Sequence, residues 1–113
     1  MRLDQTGLQL GNFMSYLSQR QEIISSNIAN ADTPGYLTRD VEMPVDFSSA
    51  IDDARTLVVE TPDLPQRNDG NNVSIDREAR LLAENTMKFN VAAQIVRSEL
   101  KSVRSAIEEG RQS

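Results

Sequence analysis

Two stretches of this chain repeat apolar residues every three or four positions, and the stretch between them does not. In the first, Leu10, Phe13, Leu17, Ile24, Ile28 and Ala31 fall at helical spacing, with Arg20 interrupting the stripe. This predicts a helix over residues 6–31, ~39 Å long at 1.5 Å per residue. Thr6-Gly7-Leu8-Gln9 has the spacing of a capping box, while Gly7 and Gly11 weaken the first turns. In the second stretch, Leu82, Thr86, Phe89, Ala93, Val96, Leu100, Val103 and Ile107 recur in alternating steps of four and three, and all but Thr86 are apolar. That is a heptad seam, the pattern of helices packed side by side along their length. It predicts a helix over residues 75–109, ~52 Å long. Ser74 suits its N-cap, Asp76 and Glu78 suit the positive end of its dipole, and Gly110 suits the position past its end. Glu108 and Glu109 oppose the dipole there, so the last turn is expected to fray.

The middle alternates with a period of two. Leu37, Arg39, Val41, Met43, Val45 and Phe47 share one side, and Thr38, Asp40, Glu42, Pro44 and Asp46 the other. This predicts an extended strand with one buried face, broken by Arg39 and limited to an edge by Pro44. Residues 47–54 suit a short helix with Phe47, Ile51 and Ala54 inward, and Leu57-Val58-Val59 a second short strand. Pro62, Pro65 and Asn68-Asp69-Gly70-Asn71-Asn72 are turn and loop chemistry. The fold class expected is therefore mainly α: long N- and C-terminal helices in a coiled-coil-like pair, with a small extended, β-containing middle. Residues 1–36 and 71–113 would form the helical part, and residues 37–70 an insertion.

The junction after the first helix is built from small and amide residues. Thr33 precedes proline and is pushed away from helical angles. Pro34-Gly35 fits the two central positions of a type II turn, where glycine supplies the positive φ, and Tyr36 follows. Asn27 and Asn30 sit in the last helical turn, where their amides can bond backbone groups left without partners. Two readings stay open: a well-made helix stop, or a place where another helix or chain approaches closely.

Composition narrows the function classes. A chain of 113 residues is one domain by length, and 38% apolar with 4% aromatic content is lean for a self-sufficient core. The net charge is −5, against the clustered basic residues that nucleic acid requires. Residues 1–31 are neutral, 32–76 carry −7 and 77–113 carry +2, which makes the middle a water-facing region or a surface for a basic neighbour. With no cysteine and no histidine there is no disulfide, no thiol and no ordinary neutral-pH base. Asp52-Asp53 and Glu108-Glu109 are sequence neighbours, and adjacent helical positions do not face each other. Asp69-Gly70-Asn71-Asn72 lacks calcium-loop spacing and a closing glutamate. No catalytic, cofactor or metal residue is therefore assigned, and no small-molecule substrate. No stretch reaches the ~20 apolar residues of a membrane span, and no signal-peptide pattern opens the chain.

The string Ser26-Asn27-Ile28-Ala29-Asn30-Ala31-Asp32-Thr33-Pro34-Gly35-Tyr36 resembles the N-terminal signature of bacterial flagellar rod and hook proteins. Arg20-Gln21 before it and Arg39-Asp40-Val41 after it fit that family. So do Asn71-Asn72-Val73, Ile75-Asp76-Arg77-Glu78, Leu82-Ala83-Glu84-Asn85 and Ala106-Ile107 with Glu109-Gly110-Arg111 near the other end. Phe89 stands where the family often has tyrosine, and residues 44–70 match no pattern of it.

The resemblance implies a structural subunit of the proximal rod, part of the drive shaft, with terminal helices packing as a coiled coil into a helical tube. It implies as partners other copies of the chain, other rod proteins, and the membrane-embedded base or export gate with its adaptor to the rod. It implies passage through the type III export channel to the basal body without a cleavable signal. Asn27, Ile28, Asn30, Leu82, Phe89, Val96, Leu100, Val103 and Ile107 are then the expected assembly positions, and Thr33, Pro34, Gly35 and Tyr36 the helix-stop turn. The alternatives are another rod protein of the same family and a cytosolic helical adaptor or chaperone using the same seam.

Overall fold

A computed structural model describes residues 3–42 and 57–112. The short helix expected over 47–54, and the expected strand residues beyond Glu42, lie outside the described residues. Four elements follow one another: α1 (Leu3–Ala29), β1 (Arg39–Glu42), β2 (Leu57–Glu60) and α2 (Ile75–Gln112). The fold is mainly helical, as the periodicity predicts, and elongated, measuring 72 × 24 × 14 Å.

Helix α1 begins three residues earlier than expected, so Thr6–Gln9 lies inside its first turns and is not a cap. Gly7 and Gly11 are carried within the helix, each with open space where a Cβ would stand. Their propensity cost of ~1 kcal/mol apiece is outweighed by packing of the helix's apolar face. Helix α2 starts as read: the Ser74 hydroxyl accepts from the Arg77 amide at 3.3 Å, and its carbonyl accepts from the Glu78 amide at 2.9 Å. It ends later than read. Gly110 stays helical, and the helix runs on to Gln112. Glycine stops a helix by adopting positive φ, which Gly110 does not do. Arg111 in the last turn also offsets the adverse dipole interaction of Glu108 and Glu109.

The two helices pack antiparallel. Asn27 meets Glu78, Leu17 meets Asn85, and Leu10 and Phe13 line a groove with Val91 and Ile95. Leu17, Ile24 and Ala92 are buried between them. At 38 residues against 27, α2 outruns α1. Roughly its last three turns lie beyond the first described turn of α1.

Strand β1 packs on α1 and pairs antiparallel with β2, Arg39 opposite Glu60 and Val41 opposite Val58. Val41 is buried and Arg39 exposed. The expected alternation therefore fails at its start, where Thr38 turns inward and Leu37 is only half-buried. The cause is backbone bonding. Thr38 donates its amide to Asn72 Oδ1 at 2.6 Å, and its carbonyl accepts from the amide and hydroxyl of Thr61 at 2.8 and 3.0 Å. Of the acidic middle, Asp32, Glu42, Glu60, Asp63 and Asp69 are exposed, while Asp40 is half-buried.

Candidate functional site

The junction after α1 is closed by amide side chains that each serve several backbone groups. Residues 33–36 form the turn read from the sequence: Tyr36 donates its amide to the Thr33 carbonyl at 3.2 Å, and Gly35 has φ +75°. Asn30 bonds the Ser26 carbonyl through Nδ2 at 2.8 Å and accepts from the Thr33 hydroxyl at 3.1 Å. Asn27, fully buried, does more. Its Nδ2 donates to the Arg39 carbonyl at 2.8 Å and to Glu78 Oε2 at 3.1 Å. Its Oδ1 accepts from the Arg39 amide at 3.1 Å and the Tyr36 hydroxyl at 3.0 Å. One side chain of α1 thus ties the turn, β1 and α2 together. The Arg39 guanidinium stands over the Tyr36 ring, 5.7 Å from its centre.

A second amide closes the junction from the other side. Asn71 donates to the carbonyls of Asn30 and Thr33 at 2.9 and 2.8 Å, capping the end of α1 from the loop before α2. Its own Oδ1 accepts from the Val73 amide at 2.7 Å. Arg67 donates to the carbonyls of Val73 and Ala31. Gly70, at φ +84°, lies so close to Gly35 that a Cβ there would sit 3.4 Å from the Gly35 Cα. Nearer the middle of α1, Arg20 pairs with Asp40 of β1 at 3.1 Å. Burial works against the Arg20 charge, but the hydrogen bond and charge of Asp40 outweigh it and hold the guanidinium above its ordinary pKa.

The seam is a second feature, and its face differs from the expected one. Leu82, Phe89, Val96 and Val103 form one half-buried row of α2, as read. The partner row is Glu78, Asn85 and Ala92, all buried, in place of Thr86, Ala93, Leu100 and Ile107. Thr86 is exposed and Ala93 half-buried. A polar row at seven-residue spacing carries no apolar periodicity and so does not stand out as a seam. The signal lies in Glu78 and Asn85, polar residues one heptad apart in phase with Ala92. Leu100 and Ile107, 60% and 53% exposed, continue the Thr86 and Ala93 side of α2, which is not the row turned toward α1.

A further apolar stripe lies outside the expected seam. Met87, Val91 and Ile95, four residues apart, are exposed on the flank of α2. With Leu10, Phe13 and Ala92 they line an open groove of about 390 Å³, edged by Glu84 and Lys88. Phe13 stacks on Tyr16 at 6.4 Å between ring centres. Of the other expected assembly positions, Ile28 and Asn30 are half-buried; in the helix-stop turn, Thr33, Pro34 and Gly35 are exposed beside half-buried Tyr36. Among the described residues no group of three or more acidic side chains could hold a metal ion, and no helix is long and apolar enough to cross a membrane.

Comparison with known proteins places these features in a family. Residues 13–36, which carry the second half of α1 and the turn after it, match the family described as flagella basal body rod protein. The flagellar basal body rod protein FlgB of Yersinia enterocolitica is 30% identical over 119 aligned positions, covering 82% of this chain and 86% of the relative. FlgB of Salmonella typhimurium is likewise 30% identical with the same coverage, and that of Escherichia coli K12 is 29% identical. With the turn signature matched and most of each chain aligned at 30% identity, this chain belongs to the FlgB family of flagellar basal body rod proteins.

Proposed function

We propose that the chain is a structural subunit of the bacterial flagellar basal-body rod that assembles through its two terminal helices. The rod role follows from family membership. The observation that supports the assembly route is an uncovered apolar row on α2. Leu100 and Ile107, one heptad apart toward its C-terminal end, stay more than half exposed within the chain. Exposed apolar side chains at seam spacing gain ~1.5–3 kcal/mol each when fully covered. The groove of Leu10, Phe13, Met87, Val91 and Ile95 is a second apolar surface at a different place on the molecule. Two unlike surfaces meeting head to tail build rings or, where the rotation does not close, open helical arrays, and not two-fold dimers.

On this reading Ile28, Leu82, Phe89, Val96, Leu100, Val103 and Ile107 carry packing, within the chain or toward neighbours. Asn27, Asn30 and residues 33–36 set the angle at which the chain leaves α1. The neighbours are other copies, other rod proteins and the membrane-embedded base, and the subunit belongs to the proximal rod. A small core suits passage through the export channel in unfolded form, with packing completed on arrival.

Mass spectrometry of purified basal bodies tests this directly. Several copies per particle are expected. Absence from basal bodies together with abundance in the cytosol would overturn the rod reading in favour of a helical adaptor.

A further inference from the structure

The α1–α2 interface contains two polar layers where an isolated helical pair would be more stable with apolar ones. At one, fully buried Glu78 accepts from Asn27 Nδ2 at 3.1 Å and from Arg77 at 2.8 Å. One heptad on, fully buried Asn85 donates Nδ2 to the Leu17 carbonyl at 2.9 Å, and its Oδ1 is buried with no partner. A buried acceptor without a donor lowers stability, and a leucine of similar size at that position would not carry the penalty. We infer that Glu78 and Asn85 are specificity-determining residues: they lock α2 onto the α1 of its own chain, antiparallel and in one register, and disfavour pairing between α2 helices of separate copies.

The geometry favours one arrangement over its competitors. Sliding α2 by one heptad removes Asn27 from Glu78 and leaves a buried carboxylate without that donor. Asn27 is not free to follow, because β1 holds it through both backbone groups of Arg39. The strongest competitor is a parallel pair of two α2 helices, which the heptad spacing otherwise invites. In that pair the same row would set Glu78 against Glu78, two like charges in a desolvated layer. A single polar residue in a seam is known to fix register and partner number at a cost in stability. Here two such layers secure the arrangement that leaves Leu100 and Ile107 exposed and therefore available. This consequence rests on the rod reading; the lock itself does not.

Spin labels on the full chain test the lock. The chain has no native cysteine, so Ser18→Cys and Thr86→Cys place labels uniquely. Both positions are exposed and face the same shallow groove between the helices. With Asn85 intact, one narrow interlabel distance is expected at every concentration at which the chain is helical by circular dichroism. Asn85→Leu is expected to raise Tm by roughly 4–8 °C. It is also expected to add a second, concentration-dependent distance, with dimer in sedimentation. Asn85→Ala adds no bulk and is expected to broaden the distance in the same way even if the leucine variant fails to fold.

A single narrow distance with unchanged oligomeric state in a variant that combines Asn85→Ala with Glu78→Ala would overturn the lock, as would a broad distribution with both residues intact. A residue that only held the helices together would lower Tm on replacement without creating a second register. Absence of the chain from basal bodies would sink the rod reading and leave these distances untouched.

Discussion

Asn27 shows how much a single side chain can specify. It was legible in the sequence as a helix-end amide, but its partners were not, since they lie 12 and 51 residues away. Replacing it with alanine strands the Arg39 amide and carbonyl, the Tyr36 hydroxyl and one oxygen of Glu78. Asn27→Ala is expected to cost roughly 2–4 kcal/mol, since each stranded buried group costs about 1–3 and some regain water. Urea unfolding measures it, and a loss under about 1 kcal/mol would show that the network is redundant. Gly35 is the opposite case, where the backbone alone matters. Open space surrounds its missing Cβ, yet φ is +75°. Gly35→Ala should therefore cost about 1–2 kcal/mol from the left-handed conformation alone, and Gly35→Asn less. Equal losses for the two in thermal melts would mean that the site is limited by space. This turn was readable because proline and glycine carry their φ preferences with them.

Among the elements, α1 is the weaker helix. Gly7 and Gly11 are exposed inside it with nothing near the position of a Cβ. Gly11→Ala should raise stability by up to ~1 kcal/mol through helix propensity. A melt that shows no gain would indicate that this end of α1 is not helical in solution. Both helices were legible because helical periodicity is a local property. Their ends were less so: glycine at residue 110 permits a stop but does not impose one, and the chain there makes no left-handed turn. The inner face of α2 was half legible. Its apolar row announced itself, but Glu78 and Asn85 face inward only because Asn27 and the Leu17 carbonyl wait opposite.

The whole molecule is a long, thin pair of helices with a small sheet at one side, and its function depends on what it leaves uncovered. Leu100→Asp and Ile107→Asp change residues that are already mostly exposed. They should shift the stability of the isolated chain by no more than ~0.5 kcal/mol while abolishing swimming when they replace the native chain. Ile24→Asp, at a buried position, should fail on both counts. Normal motility in soft agar with either exposed variant would show that the end of α2 is not an assembly surface. The exposed groove of Met87, Val91 and Ile95 escaped the sequence reading because a stripe on the flank of a helix looks like core until the partner helix is seen to pass it by.

Local patterns settled what is local. The chain by itself determined two long helices, the cap at Ser74, the turn at residues 33–36, a strand around Val41 and the signature that places it among rod proteins. These follow from spacing, capping and φ preference, each confined to a few neighbouring residues. Tertiary structure alone decided which face of α2 turns inward, how far it outruns α1, and that Asn27, Asn71 and Asn85 are buried connectors. A polar side chain is buried only where partners from distant segments converge on it, and no stretch of sequence records that convergence.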